Sequence, residues 1–260
     1  MSIVRPPCAP LLQVRGLGKR FGARVALDDV SFAVAAGEFV AILGPSGAGK
    51  TTLFRCLTRL VVPDSGEIVL RGRGLHVARG RELREIRRDT GLIFQQFNLI
   101  RRLSALENVL AGRLGHAPTW RVLLRRFNRA DRQLALASLD QVGLLAYATQ
   151  RADRLSGGQQ QRVAIARVLA QQSGLILADE PVASLDPESA AGVLATLRAV
   201  AHERGIAVVC SLHQVDLATA FADRVIGLRA GRLIADLPAV RLDAAEQARI
   251  YRVETRAVAD

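Results

Sequence analysis

Aromatic side chains are scarce: Phe, Tyr and Trp together make up 4% of the 260 residues. A core must therefore be built from Leu, Val, Ile and Ala. The interleaved aromatic and basic residues of single-strand nucleic-acid readers are also missing. Cysteine is rare. Cys8, Cys56 and Cys210 are odd in number, far apart and form no CxxC pair. That excludes a disulfide framework and a zinc site, and points to a reducing cytosol. Cys56 and Cys210 lie in apolar stretches and read as small buried hydrophobes. Cys8 has no apolar run before it, so lipidation is rejected. No run approaches the roughly 18 apolar residues of a membrane span. Met1–Pro10 is too short and Pro-rich for a secretory signal. The expectation is a chain soluble on its own, which reaches a membrane only through a partner.

Acidic residues are outnumbered. There are 24 Asp and Glu against 36 Lys and Arg, a net charge of +12. A basic surface attracts phosphates, nucleic acid or acidic headgroups. Yet the basic residues are spread along the chain, so biased composition explains them without a partner. They are densest at Arg79–Arg88 and Arg121–Arg132. No nucleic-acid partner is expected. Half of the residues are hydrophobic and 23% charged, which is globular composition, and the length fits one large domain or two modest ones.

Period-two alternation predicts strands over Leu11–Leu17 and Val25–Val34, with a turn at Gly37. Phe39–Leu43 is an unbroken apolar run, as expected of a strand covered on both faces. A glycine-rich loop follows, then a helix over Thr51–Leu60. Pro63–Gly66 signals a turn, and Glu67–Leu70 and Gly91–Phe94 read as strands. From Arg101 to about Arg154 the pattern turns helical. Ser104 and Glu107 resemble a capping box, and Leu134, Leu136, Leu139 and Val142 form a helical stripe. Next come a helix at Gly157–Ala170, a strand at Leu175–Ala178, a helix at Glu188–Arg204 and a strand at Ile206–Cys210. Val225–Leu228 and Leu233–Ala235 read as a hairpin. This alternation predicts a parallel α/β core interrupted by a separate helical block.

Gly44-Pro45-Ser46-Gly47-Ala48-Gly49-Lys50-Thr51, followed by Thr52, matches G-x-x-x-x-G-K-[ST] fully. Glycines let backbone N–H groups close on phosphate oxygens, and the following helix start adds partial positive charge. Lys50 is expected to reach the β- and γ-phosphates of ATP, and the Thr51 hydroxyl to ligate Mg²⁺. The strand Leu175–Ala178 ends in Asp179 and Glu180. There Asp179 would hold Mg²⁺ through water and Glu180 would take a proton from the attacking water; a solvated acidic turn is the plainer reading. Leu155-Ser156-Gly157-Gly158-Gln159 offers a second anion-binding helix start, or an ordinary helix cap with Ser156 as N-cap.

On these motifs the chain resembles the ATP-binding subunits of ABC transporters over about Leu12–Tyr251. LSGGQ at Leu155–Gln159, continuing to Arg167, is similar to their signature motif. Gln95 matches the Q-loop glutamine, Ser184-Leu185-Asp186 the D-loop and His213 the switch histidine. Phe21 falls where the family places an aromatic on adenine, a position more often Tyr. The resemblance implies a P-loop NTPase cassette: a RecA-like core, an antiparallel β subdomain and a helical subdomain at about 101–165. The cassette would span 11–251, with tails at 1–10 and 252–260. It implies a head-to-tail homodimer in which each ATP lies between Lys50 of one copy and Ser156–Gly158 of the other. Gln95 would ligate Mg²⁺ and sense the partner, and His213 would contact the γ-phosphate. The implied place is peripheral, on the cytoplasmic face of the cell (inner) membrane. The implied partners are integral-membrane permease subunits and, indirectly, an extracytoplasmic substrate-binding protein.

The resemblance is closer still to the ATPases of bacterial phosphonate importers. Phe94–Gly115, the Pro118-Thr119-Trp120 segment with its basic run to Phe127, Gln141–Arg167, Ala178–Ala190 and Ser211–Gly231 carry it. The phosphate loop ends GAGKT where GSGKS is common. The cargo implied is phosphonate, with phosphite or another phosphorus oxyanion as the alternative. A soluble, non-transport ABC ATPase is disfavoured by the single cassette and the lack of sustained heptads. Coupling to the permease would use the groove around Gln95; Leu103, Leu106 and Val109 serve it or are plain core.

Overall fold

The computed structural model describes residues 10–94, 97–116 and 127–251. Strand β1 (Leu12–Phe21) buries Leu12, Val14 and Leu17. Its alternation slips at Gly16, which takes φ +58 between two registers. β2 (Arg24–Val34) pairs with it antiparallel and buries Leu27, Val30, Phe32 and Val34. With β4 (Ser65–Leu70) and the short β5 (Arg73–Gly74) they form an antiparallel sheet in the order β2-β1-β4-β5.

The second sheet carries the site. It runs β10-β9-β3-β8-β7-β6. Its strands are β3 (Phe39–Leu43), β6 (Thr90–Ile93), β7 (Leu175–Asp179), β8 (Ala207–Ser211), β9 (Arg224–Arg229) and β10 (Arg232–Pro238). From β9 through β6 all pairings are parallel, and β10 folds back antiparallel on β9. β3 has both faces covered, which explains its unbroken apolar run. Phe39, Ala41 and Leu43 join the core cluster on the helical side; Val40 and Ile42 join the cluster shared with the antiparallel sheet. Each of these buried side chains larger than alanine contributes about 2 kcal/mol.

Eight helices lie among the described residues: α1 (Lys50–Leu57), α2 (Gly80–Arg88), α3 (Ala105–Leu110), α4 (Arg129–Gln141), α5 (Gly157–Gln171), α6 (Pro187–Arg204), α7 (Val215–Phe221) and α8 (Ala244–Tyr251). The Ser104–Glu107 capping box forms at the start of α3 as the sequence signals. The stripe on α4 matches the expected one in part. Ala135, Ser138, Leu139 and Val142 are buried, whereas Leu134 and Leu136 are only half-buried. An ion pair between Arg113 and Asp131 at 2.8 Å pins α4 near α5, and Arg113 also donates to the Ala170 carbonyl.

α2 falls on the densest basic stretch, where no apolar period exists to announce a helix; only Ile86 is buried. Arg81 at i and Glu85 at i+4 pair along it. Val109 is core, Leu106 packs partly buried against it, and Leu103 is half-buried. Cys56 and Cys210 are buried, as expected. Pro118-Thr119-Trp120 and Arg121 to Arg126 lie outside the described residues, as do the two tails apart from Pro10. Among the described residues, no helix is long and apolar enough to cross a membrane.

Candidate functional site

The loop after β3 turns back under its own helix. Gly44, Gly47 and Gly49 all have positive φ, at +155, +79 and +107. A Cβ on Gly44 would lie 2.1 Å from the Leu228 carbonyl oxygen, and one on Gly49 would lie 2.6 Å from that of Ala26. Glycine is therefore dictated at both positions by backbone approach as well as by φ. The loop leads into α1, whose free N-terminal N–H groups face the same side. The Lys50 ammonium reaches back to the carbonyl oxygens of Gly44 at 2.6 Å and Pro45 at 3.2 Å. Burial lowers its pKa, while Glu180 and Asp179 hold it up.

The two carboxylates arrive from β7, one strand beyond β8. Ser211, at the end of β8, ties them down. Its hydroxyl donates to Asp179 Oδ1 at 2.9 Å and accepts from the Glu180 N–H at 2.8 Å. Burial raises the Asp179 pKa, and the Ser211 bond opposes that rise. Glu180 sits at φ +51, a left-handed backbone that costs a non-glycine residue of order 1–3 kcal/mol. That turn aims its carboxylate at His213, whose Nε2 lies 2.5 Å from Glu180 Oε1.

Glu180 and His213 share with the phosphate loop one cavity of about 490 Å³, lined by Ser46–Thr52, Glu180, His213, Phe21, Arg24 and Ala26. Phe21 is half exposed at its rim, with the Lys19 ammonium 5.4 Å from its ring centre. Arg24 and Ala26 were not signalled by any motif. Ser211 stands two residues before His213 in the sequence, yet its role in holding both carboxylates depends on strand pairing.

Ser156–Gln159 does not line this cavity. Ser156 N-caps α5 in a full capping box with Gln159, so the ordinary-cap reading of this motif is realised in the single chain. Asp186 likewise caps α6, accepting from the Ser189 N–H at 2.9 Å, and that bond is the main cause of its lowered pKa. Gln95 lies outside the described residues. The half-buried Arg167 of the signature helix donates to the carbonyls of Asn98 and Phe97 just beyond it. A larger cavity of about 1000 Å³ opens between α2, α5 and this segment; Leu60, Arg81, Arg84, Phe94, Leu114 and Arg167 are on its walls.

A family model described as ABC transporter matches residues 27–183. The chain belongs to the ABC transporter family. It is a P-loop ABC cassette, and the family binds ATP. It is 54% identical to the hypophosphite import ATP-binding protein HtxD of Stutzerimonas stutzeri, over 86% of this chain and 66% of that one. The cassette thus spans just under two thirds of that relative's length. It is 51% identical to the phosphonates import ATP-binding protein PhnC 1 of Rhodopseudomonas palustris, over 87% of this chain and 84% of the relative. A solved dimeric cassette, described as a post-hydrolysis state bound to ADP and Pi, superposes with a TM-score of 0.74 at 35% identity, covering 88% of this chain and 98% of that one.

Proposed function

We propose that this chain binds and hydrolyses ATP to energise import of phosphonates, as a peripheral subunit on the cytoplasmic face of the cell (inner) membrane. The observation that carries hydrolysis is the meeting of Glu180, Asp179 and His213 at the phosphate loop, brought about by three different strand ends. Loop amides and Lys50 hold the β- and γ-phosphates. Pro45, Ser46, Ala48 and Thr52 complete the cradle, and Phe21 lies against the base. Glu180 accepts the proton of the attacking water, and His213 contacts the γ-phosphate.

Thr51 and Asp179, the latter through water, together with Gln95, would hold Mg²⁺, which would supply positive charge against the transferring phosphoryl group. The donor set fits such an ion. Mg²⁺ prefers oxygen ligands and keeps several waters when it rides on a nucleotide's phosphates, so the Thr51 hydroxyl and the Asp179 carboxylate are ligands of the right kind.

Two copies act together. Ser156, Gly157, Gly158 and Gln159 stand away from their own chain's cavity and are free to close on the phosphates held by a second copy. Asp186 belongs to the same interface. ATP thereby favours a closed C₂ pair, and loss of the γ-phosphate lets it open. The larger cavity beside Phe94 takes a segment of the permease, and an extracytoplasmic binding protein delivers the cargo to that permease.

Similarity to a phosphonates import protein over most of its length supports the phosphonate cargo. Higher identity to a hypophosphite import protein favours a second reading, a smaller phosphorus oxyanion. Growth of the host on methylphosphonate, phosphite or hypophosphite as sole phosphorus source, with and without this chain, separates them. For the chemistry, Glu180→Gln is expected to bind ATP, lose about 100-fold or more of its turnover and elute as a dimer with ATP. A variant that turns over like the parent, or stays monomeric with ATP, sinks the assignment.

A further inference from the structure

Helix α8 lies beyond the residues matched to the family, yet its last residue reaches the nucleotide site. The Tyr251 hydroxyl donates to the His213 backbone carbonyl at 3.2 Å. Burial raises the phenol's pKa, and the Gly44 backbone facing the hydroxyl opposes that rise. At neutral pH this group is therefore a neutral donor. It stands between the first residue of the phosphate loop and the residue whose imidazole meets Glu180.

The helix holds that hydroxyl in a fixed place. Ile250, next to it, is fully buried. It packs so closely on β9 that a Cβ at Gly227 would lie 2.6 Å from its Cγ1. Arg229 on the same strand donates to the Arg249 carbonyl at 2.9 Å. One strand therefore anchors α8 at two positions, and β9 is itself paired with β3, which leads into the phosphate loop. The chain of contact runs from β9 through α8 to the carbonyl of His213, and from the His213 ring to Glu180.

We propose that Tyr251 is a positioning residue for ATP hydrolysis: its hydroxyl sets the height of the His213 loop over the phosphate loop and so keeps the imidazole in reach of Glu180 and the γ-phosphate. This rests on the reading of His213 and Glu180 as the hydrolytic pair. In that reading most of the phosphate contacts come from the loop, α1 and the second copy's Ser156–Gln159, so losing the Tyr251 hydroxyl acts chiefly on turnover and little on affinity.

The test is Tyr251→Phe in the full chain, which keeps the ring and its packing and deletes one hydroxyl. One ordinary hydrogen bond corresponds to a roughly 3- to 10-fold fall in kcat. The KM for ATP should stay at the parent's value, and the melting temperature should fall by no more than the few degrees that one hydrogen bond is worth. Tyr251→Ala, which also removes packing, should lower both kcat and the melting temperature. Parent-like kcat in Tyr251→Phe overturns the proposal. So does a fall in kcat matched by a rise in KM or by a loss of melting temperature as large as that of Tyr251→Ala, since that marks plain docking of α8. An unaltered chain with no ATPase activity removes the hydrolytic reading as a whole, whereas a silent Tyr251→Phe removes this one alone.

Discussion

Ser211→Ala is the sharpest probe of the site, because one buried hydroxyl serves two carboxylate-bearing residues. Ser211 is 0% exposed, so alanine keeps the packing and deletes only the oxygen. Two bonds vanish, the donation to Asp179 Oδ1 at 2.9 Å and the acceptance from the Glu180 N–H at 2.8 Å. A hydrogen bond to a charged group is worth about 1.5–3 kcal/mol, and a part-buried amide left unsatisfied costs about 1–3 kcal/mol. Partial relaxation overlaps the two effects, so the expected loss is about 2–4 kcal/mol at neutral pH.

That loss should depend on pH. Asp179 binds its proton more tightly in the folded chain than in the unfolded one, chiefly because it is buried. The burden of its buried charge is absent in acid, where the carboxyl is protonated in both states. It is complete above the raised folded value. Removing Ser211 raises that value further. The deficit of the variant therefore grows from about pH 4, the ordinary carboxylate range, toward neutrality. Urea unfolding of both chains without Mg²⁺ at pH 4.5 and pH 7.5 measures it. Turnover should fall about tenfold or more, since Glu180 loses the bond that fixes its backbone. A stability loss below about 0.5 kcal/mol at pH 7.5, or an equal loss at both pH values, would refute the reasoning.

Two further outcomes follow from the same geometry. Gly49→Ala places a Cβ 2.6 Å from the Ala26 carbonyl at φ +107; we expect about 1–3 kcal/mol of destabilisation and at least a tenfold loss of ATP affinity by calorimetry, and unchanged binding would contradict the loop geometry. Burial pushes the Cys56 thiol up to about 11 and Cys210 higher still. In a Cys8→Ser background the native chain should therefore give no rapid reaction with a thiol reagent at pH 8, while the unfolded chain titrates two thiols; fast labelling of the native chain would show that the core opens.

The elements that read clearly from the sequence are those with local causes. Phe39–Leu43, the glycines after it and α1 are contiguous, so one stretch of chain specifies strand, loop and helix start together. The capping boxes at Ser104 and Ser156 are likewise local. α2 escaped notice because its residues are charged and it buries one side chain. On α4, Leu139 and Val142 of the expected stripe are core and Leu136 packs against it, while Ala135 and Ser138 also turn inward at 0% and 2% exposure, beyond what leucine spacing reveals.

By itself the sequence determined a glycine-rich loop and helix start after β3, two carboxylates at the end of β7 and a capped helix start at Ser156. Each follows from backbone conformation and side-chain chemistry within a few residues. Only the tertiary structure decided that Asp179, Ser211, Glu180 and His213 meet, because parallel strands separated by long crossovers come into register through packing alone. It also decided that Tyr251, some two hundred residues after Gly44, closes the same site. The reason is physical: no local rule couples residues that far apart, and their meeting depends on which strands the hydrophobic faces of α8 and the sheet bury together.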